Sequence, residues 1–302
     1  METKSDILNL AVVNFKVNYG DKEYNLRKIK DFTIAAAKRG ADLILFPELC
    51  LTGYDFFVDE TVDMQAKMAA AETLCGNACN VMSEVAKQYG VHVIFGMGEK
   101  LSEDADVIYN SAVAINAEGV IGSYRKIHPF DNENCYFAKG DQPFMFDSPW
   151  GPIGMAICYD TYQFPELMRY YAAKGARLYL NPTALVEDVT KDGSRKAFKD
   201  YYVPTLEYGV LCNTIFIASA NLTGWDKMNY FAGGSMIIGP AITPFFETNK
   251  TCYAGDANEA NEGIFLATID LSLATRRLFT DNQYTNTPDF RPEIYAKLCI
   301  DK

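Results

Sequence analysis

Short apolar runs rich in Val, Ile and Leu alternate with longer stretches of helical period from near the start of this 302-residue chain. Residues 8–15 read as a strand. Residues 24–38 read as a helix, with Ile29, Phe32 and Ala36 on one face and Gly40 as its stop signal. Residues 42–46 (DLILF) read as a buried strand, with four apolar residues in succession after Asp42. A second helix is predicted over 69–88 and a strand over 91–97, and a turn at Glu118 and Gly119 joins 107–116 to 120–126 as a hairpin. The rhythm then repeats: a strand at 153–158, a helix through Leu167, Tyr170 and Tyr171, a strand at 177–180, a helical region ahead of Leu211, and strands at 214–220, 235–238 and 264–269. Alternation of this kind requires mixed sheets with helices laid over their faces, an α/β fold.

With 49% hydrophobic residues the chain has ample material for a core. No linker, composition shift or fixed-period repeat divides it, so one domain is expected over 1–302. A net charge of −11 repels phosphate backbones and anionic headgroups, so neither nucleic acid nor membrane is an expected partner. The opening METKSDILNLAVVNF lacks a basic region followed by an apolar core, and no apolar run approaches the roughly 20 residues of a membrane span. No signal peptide is expected, and a cytoplasmic location is.

Two histidines, His92 and His128, stand against eight cysteines. Ser-His-Asp chemistry and most zinc hydrolases depend on imidazole, and neither ring lies in an HExxH pattern, so chemistry without imidazole, metal or cofactor is expected. The cysteines are scattered through a chain too large to need staples, which fits reduced thiols. Cys75 and Cys79 form a lone pair without a partner cluster and read as core residues one helical turn apart. Gly96-Met97-Gly98 lacks the third glycine of a dinucleotide fingerprint.

Three strand ends carry reactive residues: Phe46-Pro47-Glu48, Tyr124-Arg125-Lys126 and Cys158-Tyr159-Asp160. By residue type alone, a cysteine closing an apolar strand is more often a small hydrophobe than a nucleophile, and a loop Glu or Lys is usually just solvated.

The segments FPELCLTGY (46–54), YRKIHPFD (124–131) and GMAICYDTYQFPE (154–166) resemble, in order, the three catalytic motifs of the nitrilase, or carbon-nitrogen hydrolase, superfamily. Flanking matches run from GARLYLNPTA (175–184) through NTIFIASANLTG (213–224), GGSMIIGP (233–240) and EGIFLATIDL (262–271) to RPEIY (291–295). The resemblance implies a four-layer αββα sandwich of two mixed sheets and a Glu-Lys-Cys triad at Glu48, Lys126 and Cys158. Glu133, placed ahead of Gly140 as in many members, is the implied second Glu. Members associate through the sandwich, so a homodimer or larger assembly is implied, with the tail from about 285 to 302 at its interface. Tyr54 belongs to the motif and is placed nearest the site, whereas Phe56 and Phe57 fit either a pocket lining or ordinary packing.

The residue types suit this chemistry. A free thiol titrates near 8.5 and needs a base or positive charge beside it. With no histidine in reach, Glu48 is expected to take the proton and, to do so efficiently, to be buried. Lys126 and the Tyr159 N–H would hold the oxyanion.

Tyr159-Asp160 after the cysteine, where true nitrilases commonly have Trp-Glu, favours a small-molecule primary amide over a nitrile. The alternative is an N-carbamoyl amine or amino acid, suggested by NPTALVEDV (181–189), in which Glu187 or Asp188 would meet a cationic tail. Three departures bear on specificity. One extra residue lies between Cys158 and Glu166, with no Arg there. Cys212-Asn213 replaces a common Glu-Asn, leaving Glu207 as a possible substitute carboxylate. Ile242 stands where Gly is frequent. A non-catalytic binding protein on the same scaffold would require a substituted catalytic position, and all four are intact.

Overall fold

A computed structural model describes residues 5–187, 199–241 and 249–296. Along the first half run β1 (Ile7–Asn14), α1 (Lys22–Lys38), β2 (Leu43–Leu45), α2 (Tyr54–Val58), α3 (Met64–Ala70), α4 (Asn77–Tyr89), β3 (His92–Glu99), β4 (Tyr109–Asn116) and β5 (Gly119–Arg125). The second half holds β6 (Phe144–Phe146), β7 (Ile153–Met155), α5 (Tyr159–Gln163), α6 (Pro165–Ala173), β8 (Leu178–Thr183), α7 (Lys199–Asn213) and β9 (Phe216–Asn221). It continues with β10 (Thr223–Trp225), β11 (Tyr230–Ala232), β12 (Met236–Ala241), β13 (Asn249–Gly255), β14 (Gly263–Asp270) and α8 (Pro292–Tyr295).

Two six-stranded sheets result, with strand orders β14-β1-β2-β3-β4-β5 and β13-β12-β9-β8-β7-β6. Each has a parallel centre, β1-β2-β3 in one and β7-β8-β9 in the other, flanked by antiparallel strands. Side-chain alternation along β1 shows how the layers form. Leu8, Leu10 and Val12 point into a core shared with Ile153, Met155, Leu178 and Leu180 of the facing sheet. Ala11 and Val13 point the other way, into a core with Leu26 and Ile29 of α1 and Met82 of α4. Met168 and Tyr171 of α6 and Leu206 of α7 cover the outer face of the second sheet. The molecule is therefore helix, sheet, sheet, helix, the expected αββα sandwich.

The helix expected over 69–88 is two helices. Glu72 leaves α3 to pair beside β3, through its N–H to Gly98 O (3.0 Å) and its C=O to Lys100 N–H (2.9 Å). Its carboxylate then accepts the Ala78 N–H at 2.7 Å, capping the first turn of α4. Cys75 is consequently exposed in a turn rather than buried one helical turn from Cys79. Cys135 and Cys252 are also exposed, while Cys50 and Cys79 are buried; all seven described cysteines are free thiols. The helix after Cys158 is broken at Phe164, where α5 ends and α6 begins. The hairpin β10–β11 and the edge strands β6 and β13 had no periodic signal of their own. Among the described residues no helix is long and apolar enough to cross a membrane.

Gly96 of β3 lies against the loop that leaves β2, with its N–H on Pro47 O at 3.1 Å and its C=O accepting from Leu51 N–H at 3.2 Å. A Cβ there would stand 2.3 Å from Leu49 N, and Leu49 already sits at φ 47°. Gly96→Ala is expected to destabilise the fold by about 3 kcal/mol, the upper range for overpacking, and to displace Glu48. An unchanged urea midpoint would contradict this close packing.

Candidate active site

Glu48 follows β2, Lys126 follows β5, and Glu133 sits in a single 3-10 turn, Asp131–Cys135. All three side chains are withdrawn from solvent. The Lys126 ammonium donates to Glu48 Oε1 at 2.7 Å and to Glu133 Oε1 at 2.9 Å. Asn110 of β4 donates to Glu48 Oε1 at 2.7 Å, and its C=O accepts the Lys126 N–H at 2.8 Å. Tyr54 donates its hydroxyl to Glu133 Oε1 at 2.7 Å. Glu48 Oε2 is buried and has no hydrogen-bond partner among the described residues.

Burial is the largest influence on Glu48 and raises its pKa, with the Glu133 charge adding to it and Lys126 opposing it. Burial alone would lower the Lys126 pKa, but the Glu133 and Glu48 carboxylates outweigh it and hold the ammonium above its ordinary value. Lysine is thus charged here, and of its three donors two are committed.

Cys158 comes from the second sheet, just past β7. Its N–H is held by Pro182 O at 3.0 Å and Asn181 Oδ1 at 3.1 Å, and its C=O accepts the Thr161 N–H at 2.8 Å to start α5. The residue sits at φ 47° and ψ −105°. This strained elbow sets the side chain off the end of the strand and is over-determined by the bonds on both sides of it. Burial, then the Glu48 charge, raise the thiol pKa, while Lys126, the Thr183 side chain and the Ala184 N–H oppose them. The thiol therefore lies within electrostatic reach of both Glu48 and Lys126. Tyr159 opens α5, and no described residue accepts from its N–H.

The structure thus brings together Glu48, Lys126, Glu133, Cys158, Tyr54 and Tyr159, and Glu48 is buried as its expected chemistry requires. Phe57 is buried in packing and Phe56 lies against Tyr19. Glu187 is fixed by its backbone, whose N–H donates to Tyr230 O at 2.8 Å on β11, downstream of Thr183 and Ala184. Asp188 and Ile242 lie outside the described residues. The Glu207 carboxylate pairs with Lys250 of β13.

Asn110 escaped the sequence reading, and Asp160 entered it only as a strand-end neighbour of Cys158. Asn110 had no signal beyond being a polar residue in an apolar strand. Asp160, fully buried, accepts from Tyr124 Oη (2.6 Å), Ile127 N (3.0 Å), His128 N (3.0 Å) and pairs with His128 Nδ1 (2.6 Å). It ties the segment after Lys126 to the helix after Cys158. His128 thus lies against Asp160, two positions from Cys158, with one ring nitrogen committed there.

The hairpin β10–β11 forms a second tie. Asp226 Oδ2 accepts the Asp55 N–H of α2 at 2.9 Å, and Asp55 Oδ2 accepts the N–H groups of Lys227 (2.9 Å), Met228 and Asn229 (2.8 Å). The Tyr54 ring meets Phe231 edge-on at 5.9 Å. One hairpin therefore touches both the Tyr54 side of the site and, through Tyr230, the Glu187 side.

The carbon-nitrogen hydrolase family model matches residues 9–277. A probable nitrilase of Schizosaccharomyces pombe is 32% identical over 293 residues, 96% of this chain and 98% of that protein. The 2-oxoglutaramate amidase of Bacillus subtilis is 29% identical over 267 residues, 87% and 90% of the two chains. Among solved structures, a mutant of the amidase from Nesterenkonia sp. AN1 superposes with a TM-score of 0.73 at 22% identity over 97% of both chains.

Asp226 supplies a pH test of the hairpin tie. Burial pushes its carboxyl up to about 7, against about 3.9 for an unfolded Asp. The fold favours the protonated form, so the associated stability is complete below about pH 4 and is lost as pH rises through about 7. Asp226→Asn removes this titration. The melting temperature of the variant minus that of the parent is expected to grow by at least about 2 °C between pH 4 and pH 8, the shift that about 1 kcal/mol brings in a chain of this size. A difference that stays flat with pH would rule the linkage out.

Proposed function

Because the chain belongs to the carbon-nitrogen hydrolase family, we propose that it hydrolyses a small primary amide to a carboxylic acid and ammonia, with Cys158 as nucleophile and Glu48, Lys126 and Glu133 as its acid-base and electrostatic partners. The observation that carries this reading is the unpartnered, buried Oε2 of Glu48 within electrostatic reach of the Cys158 thiol, with Oε1 already held by Lys126 and Asn110. A raised carboxyl pKa suits a base that must later return its proton.

In the proposed sequence Glu48 Oε2 takes the thiol proton as sulfur attacks the amide carbon. The carbonyl oxygen becomes an oxyanion, met by the third Lys126 N–H and the Tyr159 N–H. Glu48 then gives the proton to the nitrogen, the C–N bond breaks, and ammonia leaves a thioester on Cys158. Water, deprotonated by Glu48, adds to the thioester; the C–S bond breaks and the sulfur recovers the proton. Glu133 holds Lys126 and is itself held by Tyr54.

A second reading, hydrolysis of an N-carbamoyl compound with release of carbon dioxide and ammonia, is favoured by the place of Glu187 on the segment that follows Thr183 and Ala184. We also propose self-association with the tail at the interface; in the described chain Tyr284 is 85% exposed and α8 has no buried residue.

Cys158→Ala is expected to reduce ammonia release at least about 10⁴-fold, as when a nucleophile acting within a unit is removed, without changing the far-ultraviolet spectrum. A chelator is expected to have no effect, because every role falls to a side chain or backbone group. A panel of primary amides, N-carbamoyl amines and nitriles, assayed for ammonia and carbon dioxide together, separates the readings. Carbon dioxide release would displace the simple amide, and full activity in Cys158→Ala would sink the mechanism. Sedimentation is expected to give a dimer or larger species; a monomer at all concentrations would remove the association.

A further inference from the structure

The nucleophile is bordered by a run of aromatic rings that the chemical step does not use. Tyr159, next to Cys158, meets Phe130 edge-on at 5.1 Å and Phe164 edge-on at 5.5 Å. Phe164 in turn stacks on His128, centroids 3.5 Å apart and planes 7° from parallel. These rings come from two places, the segment after Lys126 and the broken helix after Cys158, and Asp160 fastens those two places together. The extra residue between Cys158 and Glu166 has a structural counterpart here, since Phe164 stands at the break between α5 and α6.

Tyr201 of α7 adjoins the same short helix, α5. Its hydroxyl accepts a hydrogen bond from Gln163 Nε2 at the end of α5, and its ring tilts against Tyr162 at 6.2 Å. Gln163 lies one turn beyond Tyr159 on α5, which places Tyr201 on the flank of the same ring cluster. Phe130 and Tyr201 are 48% and 46% exposed, large apolar surfaces left open around the helix that follows Cys158. Phe130, Tyr159, Phe164 and Tyr201 carry no carboxylate, ammonium or guanidinium. The imidazole of His128 is bound through Nδ1 to Asp160, and Asp160 is fully buried. Such a wall recognises a flat apolar group through edge-to-face and offset contacts.

Resting on the amidase reading above, we propose that the acyl side of the substrate is an aryl or arylalkyl group, held against Phe130, Tyr159 and Phe164 with Tyr201 flanking them. Phe130 and Tyr201 are then specificity-determining residues. A ring leaves the amide carbon free to reach Cys158, whereas a short aliphatic amide leaves the wall uncovered.

The test compares phenylacetamide, propionamide and N-carbamoylputrescine, by kcat/KM in the parent and by calorimetric binding to Cys158→Ala. Phenylacetamide is expected to bind Cys158→Ala at least about fivefold more tightly than either other compound, the scale of one or two ring contacts. In Phe130→Ala and Tyr201→Ala the ratio of kcat/KM for phenylacetamide over propionamide is expected to fall at least about fivefold, and Tyr201→Phe to restore it. Equal binding of the two amides, tighter binding of the cationic compound, or variants that lower both amides in parallel would overturn the proposal. Selective binding of phenylacetamide without turnover of any amide would leave the wall standing and remove the hydrolytic reading. Turnover with propionamide favoured would do the reverse.

Discussion

The Lys126 ammonium, buried between the carboxylates of Glu48 and Glu133, is the interaction around which the site is built. Charges taken out of water are tolerated only where partners replace their hydration, and removing one partner strands the others. The sandwich supplies those partners from separate elements. Glu48 leaves β2, Asn110 stands on β4, Lys126 leaves β5, and Tyr54 opens α2. Each carboxylate therefore depends on strand register as much as on its own rotamer. Gly96 shows the tolerance involved, for the backbone of the Glu48 loop lies within the space of one methyl group from β3.

The thiol, by contrast, is carried by the other sheet, so the relative placement of the two sheets sets the distance between Cys158 and Glu48. The shared core fixes it coarsely. Two polar ties fix it finely at the strand ends, where apolar packing has run out. Asp160 gathers donors from Tyr124, Ile127 and His128 onto the helix after Cys158. The Asp55–Asp226 exchange docks a hairpin against α2, and that hairpin also reaches the segment after β8. Both ties use carboxylates accepting several N–H groups at once, which is directional in a way that packing is not.

How far this was legible in the sequence depended on the kind of signal. Strands buried on both faces, such as 43–46 and 178–180, announce themselves as apolar runs, and the motif resemblance brought Glu48, Lys126, Glu133 and Cys158 to one place. Interrupted elements did not show. The stretch 69–88 is largely of helical composition, yet Glu72 pairs beside β3 and interrupts it. Asn110 and the tie made by Asp160 were invisible for a different reason. Their importance comes from partners 15 or more residues away, which periodicity does not register. The hairpin β10–β11 is held by Asp55, a contact across more than 170 positions.

The proposed chemistry also explains why a chain with two histidines loses nothing by keeping imidazole out of the proton transfer. Burial raises the pKa of both Glu48 and Cys158, so each resists carrying charge alone. When sulfur attacks, the proton moves to Glu48 and the negative charge moves to the substrate oxygen. The buried group as a whole keeps the same net charge, with one unit shifted from one neighbour of Lys126 to another. An imidazole base would create a new cation in the same space and would have to be solvated there. A carboxylate that becomes neutral as the oxyanion forms asks only that Lys126 stay charged, and the second carboxylate, Glu133, keeps it so while Glu48 is protonated.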